Sequence, residues 1–85
     1  MKVIVEELSG EGLEAFLGKT ITLFCGVYIY TGKVVGVNTT CIKLQDAKVV
    51  YETGGFDTKT WKDAQALPNE WYISIQSIES FGHIK

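Results

Sequence analysis

The sequence predicts a mainly β fold, a small and strongly bent antiparallel sheet of five strands forming an open barrel, with a short helix in front of it. Three observations predict it. From Lys19 onward apolar and polar residues alternate with period two in successive segments, as they do in strands that keep one face on a core. Those segments are rich in β-branched and aromatic residues. The longest of them is interrupted by Gly32 and Gly36, where a missing side chain lets a strand turn sharply.

The elements follow in order. Ser9 or Gly10 can cap a helix of about two turns, because Leu13, Phe16 and Leu17 recur at spacings of three and four and Gly18 supplies a stop. Strand one runs from Lys19 to Cys25, with Ile21, Leu23 and Cys25 on one face and Thr20, Thr22 and Phe24 on the other. Strand two is a long curved strand from Val27 to Val37, and Asn38, Thr39 and Thr40 form the turn after it. Strand three spans Cys41 to Thr53, with Ile42 and Leu44 inward, then Val49 and Tyr51 after a phase change near Asp46 that marks a bulge.

Gly54 and Gly55 tolerate the positive φ of a primed turn, so they are expected to close a tight hairpin with Phe56 to Trp61 as its returning arm. Lys62 to Glu70, with Ala64, Ala66 and the single proline Pro68, reads as a loop or one helical turn. Strands four and five are Trp71 to Gln76 and Ile78 to Ile84. No repeat, low-complexity tract or linker interrupts the chain, so residues 1–85 are expected to form a single domain.

Composition narrows the function classes. A chain of 85 residues holds one core, and a domain near this size hides only about 60% of its unfolded surface, so association with other copies is expected. No apolar run reaches the roughly 18 residues of a membrane span, and Met1 to Glu7 has acids where a signal peptide has its apolar stretch. A cytoplasmic protein with no membrane contact is the expectation. Cys25, Cys41 and the single histidine, His83, give neither a metal-ligand set nor a disulfide framework, and both cysteines read as small buried apolar groups. No nucleophile pair or glycine-rich phosphate loop occurs, so no enzyme and no cofactor is expected. All eight basic residues are lysines. Gly18 to Tyr51 carries Lys19, Lys33, Lys43 and Lys48 against Asp46 alone, which makes the middle of the chain the cationic part.

The run Leu17-Gly18-Lys19-Thr20-Ile21-Thr22-Leu23, then Gly32-Lys33-Val34-Val35-Gly36-Val37-Asn38, then Ile42-Lys43-Leu44, resembles the first signature of Sm and Sm-like proteins, the group that includes the bacterial Hfq chaperones. The resemblance spans roughly Gly10 to Ile84, with Gly54 to Glu70 as an enlarged loop between strands three and four. It implies a short helix, five bent strands, and a homo-oligomeric ring in which strand four of one copy pairs with strand five of the next. The subunit contact then falls on Tyr72, Ile73, Ser74 and Ile75 of strand four and on Ile78 and Phe81 of strand five. An independent reason points the same way: Tyr72 to Ser77 forms β structure and has no charge, and such an edge left open is a template for aggregation.

The resemblance also implies single-stranded RNA as the ligand. Asn38, Thr39, Thr40, Gln76 and Ser77 are the candidates at the pore, where their side chains can hydrogen-bond base edges, and Tyr28, Tyr30 and Lys33 are the candidates on an outer face. The chain departs from the family pattern in three places. Asn38 stands where an aspartate is usual, Thr39 and Thr40 cannot stack on a base, and Ile75-Gln76-Ser77 carries no cation at the junction of strands four and five. Without arginine the affinity is expected to be modest and sensitive to salt. Alternating tyrosines serve equally well as cross-strand packing. The other reading is a protein-interaction or scaffold ring that docks a protein partner through the 54–70 loop, using Phe56, Trp61 and Trp71.

Overall fold

Six strands make one antiparallel sheet in the computed structural model, which describes residues 12–85. They are β1 (Thr20–Cys25), β2 (Ile29–Val37), β3 (Cys41–Glu52), β4 (Asp63–Ala66), β5 (Trp71–Ser74) and β6 (Ile78–Gly82). The sheet order is β4-β3-β2-β1-β6, and β5 pairs with β3 beside β4. β3 is therefore the spine: β2 lies along one side, while β5 takes Cys41–Leu44 and β4 takes Lys48–Glu52 on the other. The sheet does not close into a barrel.

The core lies on the concave face. Ile21 and Leu23 of β1, Val34 of β2, Ile42, Leu44 and Ala47 of β3 and Ile73 of β5 are buried together, each 4% exposed or less. These positions follow the expected alternation until Leu44, after which Ala47 takes the next inward place. The bulge that shifts the phase is real: Asp46 has a φ of 54°, and the β2–β3 register slips between Thr31–Lys48 and Lys33–Gln45. Ala47 and Val49 face in as a result, while Tyr51, expected inside, is exposed and reaches Gln65 Oε1 from its hydroxyl at 3.3 Å.

Gly32 sits opposite that bulge. A Cβ there would lie 3.1 Å from Leu44 Cβ, 3.2 Å from Ala47 Cα and 3.3 Å from the Gln45 carbonyl oxygen. At Gly36 the only neighbour would be Lys43 Cβ at an ordinary 3.6 Å. Gly32→Ala is therefore expected to cost about 1 to 3 kcal/mol, the usual toll of overpacking against backbone that cannot retreat. Gly36→Ala should differ from the parent by about 0.5 kcal/mol or less in the same urea titration.

Three expected elements are corrected. The two-turn helix is a single 3-10 turn, Leu13–Phe16, entered through Gly12 at a φ of 78° and left through Leu17 in an extended conformation. Four residues cannot repay the nucleation of an α-helix, and a 3-10 turn still brings Leu13 and Phe16, three apart, onto the core. The expected caps Ser9 and Gly10 lie outside the described residues. The returning arm of the hairpin is Asp63–Ala66 and not Phe56–Trp61, so the sheet has a sixth strand inside the segment expected to be loop. The long fourth strand also stops at Ser74, and Ile75–Ser77 is a 3-10 turn that carries the chain from β5 on one border to β6 on the other.

The convex face of β1 and β2 is covered by the loop after β3. Phe56 packs edge-on against Phe24 with ring centroids 6.5 Å apart, and Thr22 and Thr31 are buried beneath this region although they point away from the core. Thr31 Oγ1 donates to the Ile21 carbonyl at 2.9 Å, but Thr22 Oγ1 has no hydrogen-bond partner among the described residues. A buried hydroxyl without a partner is desolvated with no return. Thr22→Val is expected to stabilise the fold by about 1 kcal/mol in urea denaturation, and a loss of stability would mean that the hydroxyl has a partner.

Candidate functional site

Among the described residues, the two borders of the sheet leave backbone groups unpaired. On β5 the bond from Ile75 N–H to the Thr40 carbonyl at 2.9 Å fixes the parity of the ladder with β3. Ile73 and Trp71 share that parity and turn their peptide groups toward β3, so Tyr72 and Ser74 turn theirs to the open side. On β1 the bond from Cys25 N–H to the Tyr28 carbonyl directs Leu23 and Ile21 toward β2, which leaves Thr22 and Phe24 for β6. Their partners Gly82 and Ser80 face inward, and Phe81, between them, faces out. Among the described residues each border therefore offers a short uncovered edge: Tyr72 and Ser74 of β5, beside β4, on one, and Phe81 on the other.

Of the side chains expected at the subunit contact, Tyr72, Ser74 and Phe81 are exposed. Ile73 is buried in the core, and Ile75 and Ile78 are half-buried and pack against it, so these three serve the subunit's own interior. Lys43 reaches Glu70 at 3.2 Å and lies 5.7 Å from the centre of the Tyr72 ring. Glu70, and after it Tyr72, hold the Lys43 ammonium above its usual range.

The pore candidates are gathered at one end of the sheet. Asn38 Oδ1 accepts from Thr40 N–H at 2.8 Å, Thr40 Oγ1 at 2.9 Å and Cys41 N–H at 2.8 Å. The asparagine acceptor is thus used to shape its own turn, and only its amide N–H groups remain to meet a ligand. The Ile75–Thr40 bond ties this turn to the Ile75–Ser77 turn. Beside them lies a cleft of about 480 Å³, largely apolar, lined by Leu13, Val37, Asn38, Thr39, Ile75 and Phe81.

Tyr28, just before β2, packs beside Tyr30 of β2, while Lys33, three positions beyond Tyr30, lies on the other face of that strand, so the expected trio does not form one surface. The tyrosines meet edge to face at 6.2 Å and line a cleft of about 340 Å³ together with Gln76, Ser77, Cys25 and Glu79. Two residues expected at the pore are therefore neighbours of the two tyrosines. Tyr28 is 51% exposed, whereas Tyr30 is half-buried and packs on the core. Burial, then Cys25 and Tyr28, raise the Tyr30 hydroxyl, so it stays a neutral donor. Cys25 is half-buried; burial pushes its thiol up against a hydrogen bond with Ser77, and Glu79 adds to the rise. A thiol held protonated is a poor nucleophile.

A cleft of about 580 Å³ lies between the sheet and residues 59–64. Lys33, Lys48, Lys59, Lys62 and Lys85 line it against Asp46 and Asp63, and Trp61 forms part of its wall. Lys85 Nζ donates to the carbonyls of Gly55 at 2.8 Å, Thr53 at 2.9 Å and Thr60 at 3.0 Å, and to Thr58 Oγ1 at 3.1 Å. It also stands 4.5 Å from the centre of the Trp61 ring. In sequence only Lys33 and Lys48 belonged to the cationic middle; Lys59, Lys62, Lys85 and Trp61 join them through the path of the β3–β4 loop, for which no local pattern gives a signal.

Among the described residues no helix is long and apolar enough to cross a membrane. Comparison of the chain with family models, with curated proteins and with solved structures finds no match.

Proposed function

We propose that the protein assembles head to tail into a homo-oligomeric ring of the Sm-like kind and binds single-stranded RNA on that ring. One observation carries the reading: among the described residues a single bent sheet leaves β5, beside β4, on one border and β6 on the other without a strand partner on their outer sides, and the only charged side chain in β5 or β6 is Glu79. A surface of one kind meeting a different surface on the next copy is a heterologous contact, and repetition of such a contact closes a ring when the rotation allows. Pairing β5 with β6 of a neighbour covers both edges at once and removes the hazard that each presents alone.

RNA is the ligand that the clefts fit best. Tyr28 supplies an exposed ring for a base to stack on, and Gln76 and Ser77 stand in the same cleft to hydrogen-bond a base edge. The opposing charge is Glu79, which keeps phosphate away from this cleft and is consistent with weak binding. The aromatics of the 54–70 loop favour a scaffold less, because Phe56 packs on Phe24 and the Trp61 ring lines the lysine cleft.

The test is fluorescence anisotropy with a labelled oligouridine at low salt. The parent is expected to bind, and Tyr28→Ala to weaken binding about 5- to 150-fold, the loss of one stacking platform worth about 1 to 3 kcal/mol. A ring that binds no RNA under these conditions would overturn the RNA part of the proposal and leave a protein-interaction ring.

A further inference from the structure

We infer that the lysine-lined cleft beneath the β3–β4 loop binds the phosphate groups of a nucleotide, with Trp61 placed to meet the base. This site goes beyond the ring reading, since none of the residues that line it lies in β5 or β6.

The first support is charge. The whole chain has a net charge of −2, yet five of its eight lysines line this one cleft with two aspartates among them. Lys62 is 3.5 Å from Glu52, and Lys85 is saturated: an ammonium has three protons and here faces four oxygen acceptors. Lys33, Lys48 and Lys59 make no ion pair among the described residues. Ammonium groups that share a cleft repel one another, and an anion with several charged oxygens relieves them all at once.

The second support is construction. Lys85 is not a ligand group but a strap. It gathers the carbonyls of residues 53, 55 and 60 on one ammonium and so fixes the loop that carries Lys59 and Trp61 over Lys33 and Lys48. A cleft of about 580 Å³ is in the size range of small-ligand sites.

The chemistry selects phosphate over carboxylate. Lysine is a point charge with rotatable donors, suited to tetrahedral oxygens approached from several directions, whereas planar carboxylates are best held by the arginine fork, which this chain lacks. A single carboxylate would also leave two of the three unpaired ammonium groups uncompensated. Trp61 adds what inorganic phosphate does not use, an aromatic surface for a base.

The experiment uses the full chain with Trp71→Phe, so that Trp61 is the one fluorescent indole. Uridine triphosphate and a short oligouridine are titrated separately, with inorganic phosphate as the third probe. At least one nucleotide probe is expected to quench Trp61. Lys33→Gln with Lys48→Gln, both exposed positions, should weaken that response about tenfold or more while the far-UV circular dichroism stays unchanged. A response to the strand but not to the triphosphate assigns the cleft to RNA backbone, and the converse assigns it to a free nucleotide. Absence of quenching by both nucleotide probes at millimolar concentration, an equal response in the lysine variant, or phosphate alone giving the full effect would overturn the inference. The titration is repeated on a chain with Ser74→Pro, a substitution at the open side of β5 that should block ring assembly, and its response separates failure of the cleft from failure of the ring.

Discussion

Replacing Ser74 with proline is expected to leave each subunit folded and to abolish assembly. Ser74 has a φ of −65° and a ψ of 132°, which a proline ring adopts without strain. The residue before it, Ile73, is extended within β5, as the residue before a proline must be. By the parity of the β3–β5 ladder, Ser74 N–H faces the open edge, so its removal breaks no bond inside the subunit. The Ser74 carbonyl, which accepts from Ser77 Oγ at 2.8 Å, is untouched. The neighbouring copy loses a donor, worth about 0.5 to 1.5 kcal/mol, and meets the bulk of the ring where a strand should lie. Every contact around a homo-oligomeric ring carries the same defect. The variant should sediment at 9.4 kDa with a parent-like far-UV spectrum. A Ser74→Pro protein that keeps the parent's assembly would place the contact elsewhere.

Leu44→Ala is expected to cost about 2 to 5 kcal/mol, because a fully buried leucine leaves a cavity that its neighbours fill only in part. Leu44 pairs with Val34 of β2 on one side and with Trp71 of β5 on the other, so it anchors both halves of the bend. A domain of this size has about 4 to 13 kcal/mol in all, and the loss is a large share of it. β5 is held to the sheet only through Cys41–Leu44 of β3, which means that loosening Leu44 should also weaken assembly. Urea titration reads the first effect and sedimentation the second. Val35→Ala, at a position 38% exposed, is the control and should change stability by about 0.5 kcal/mol or less.

The parts of the fold that sequence made legible are those with a strong local signature. β1 to β3 alternate, the phase slip at Asp46 marks the bulge, and Gly32 marks the point where β2 approaches it most closely. β4 was illegible because Asp63-Ala64-Gln65-Ala66 is only four residues long and has no β-branched or aromatic residue, its apolar members being alanines; pairing with Lys48–Glu52 makes it a strand. Gly54 does take a positive φ, but the turn it begins continues to Asp63, held open by the Lys85 strap. Of the candidate site, the gathering of Asn38–Thr40 with the Ile75–Ser77 turn follows from strand order. The placement of Gln76 and Ser77 beside Tyr28 and Tyr30 depends on how far the sheet curls, and the lysine cleft depends on where a long loop lands. Neither is written in any single stretch of residues.

Head-to-tail pairing of β5 with β6 is tested most directly by native mass spectrometry of the intact chain at micromolar concentration. A single closed species of about five to eight copies, unchanged on dilution, is the predicted spectrum. A lone 9.4 kDa chain, or a dimer that gains no further copies, would contradict it.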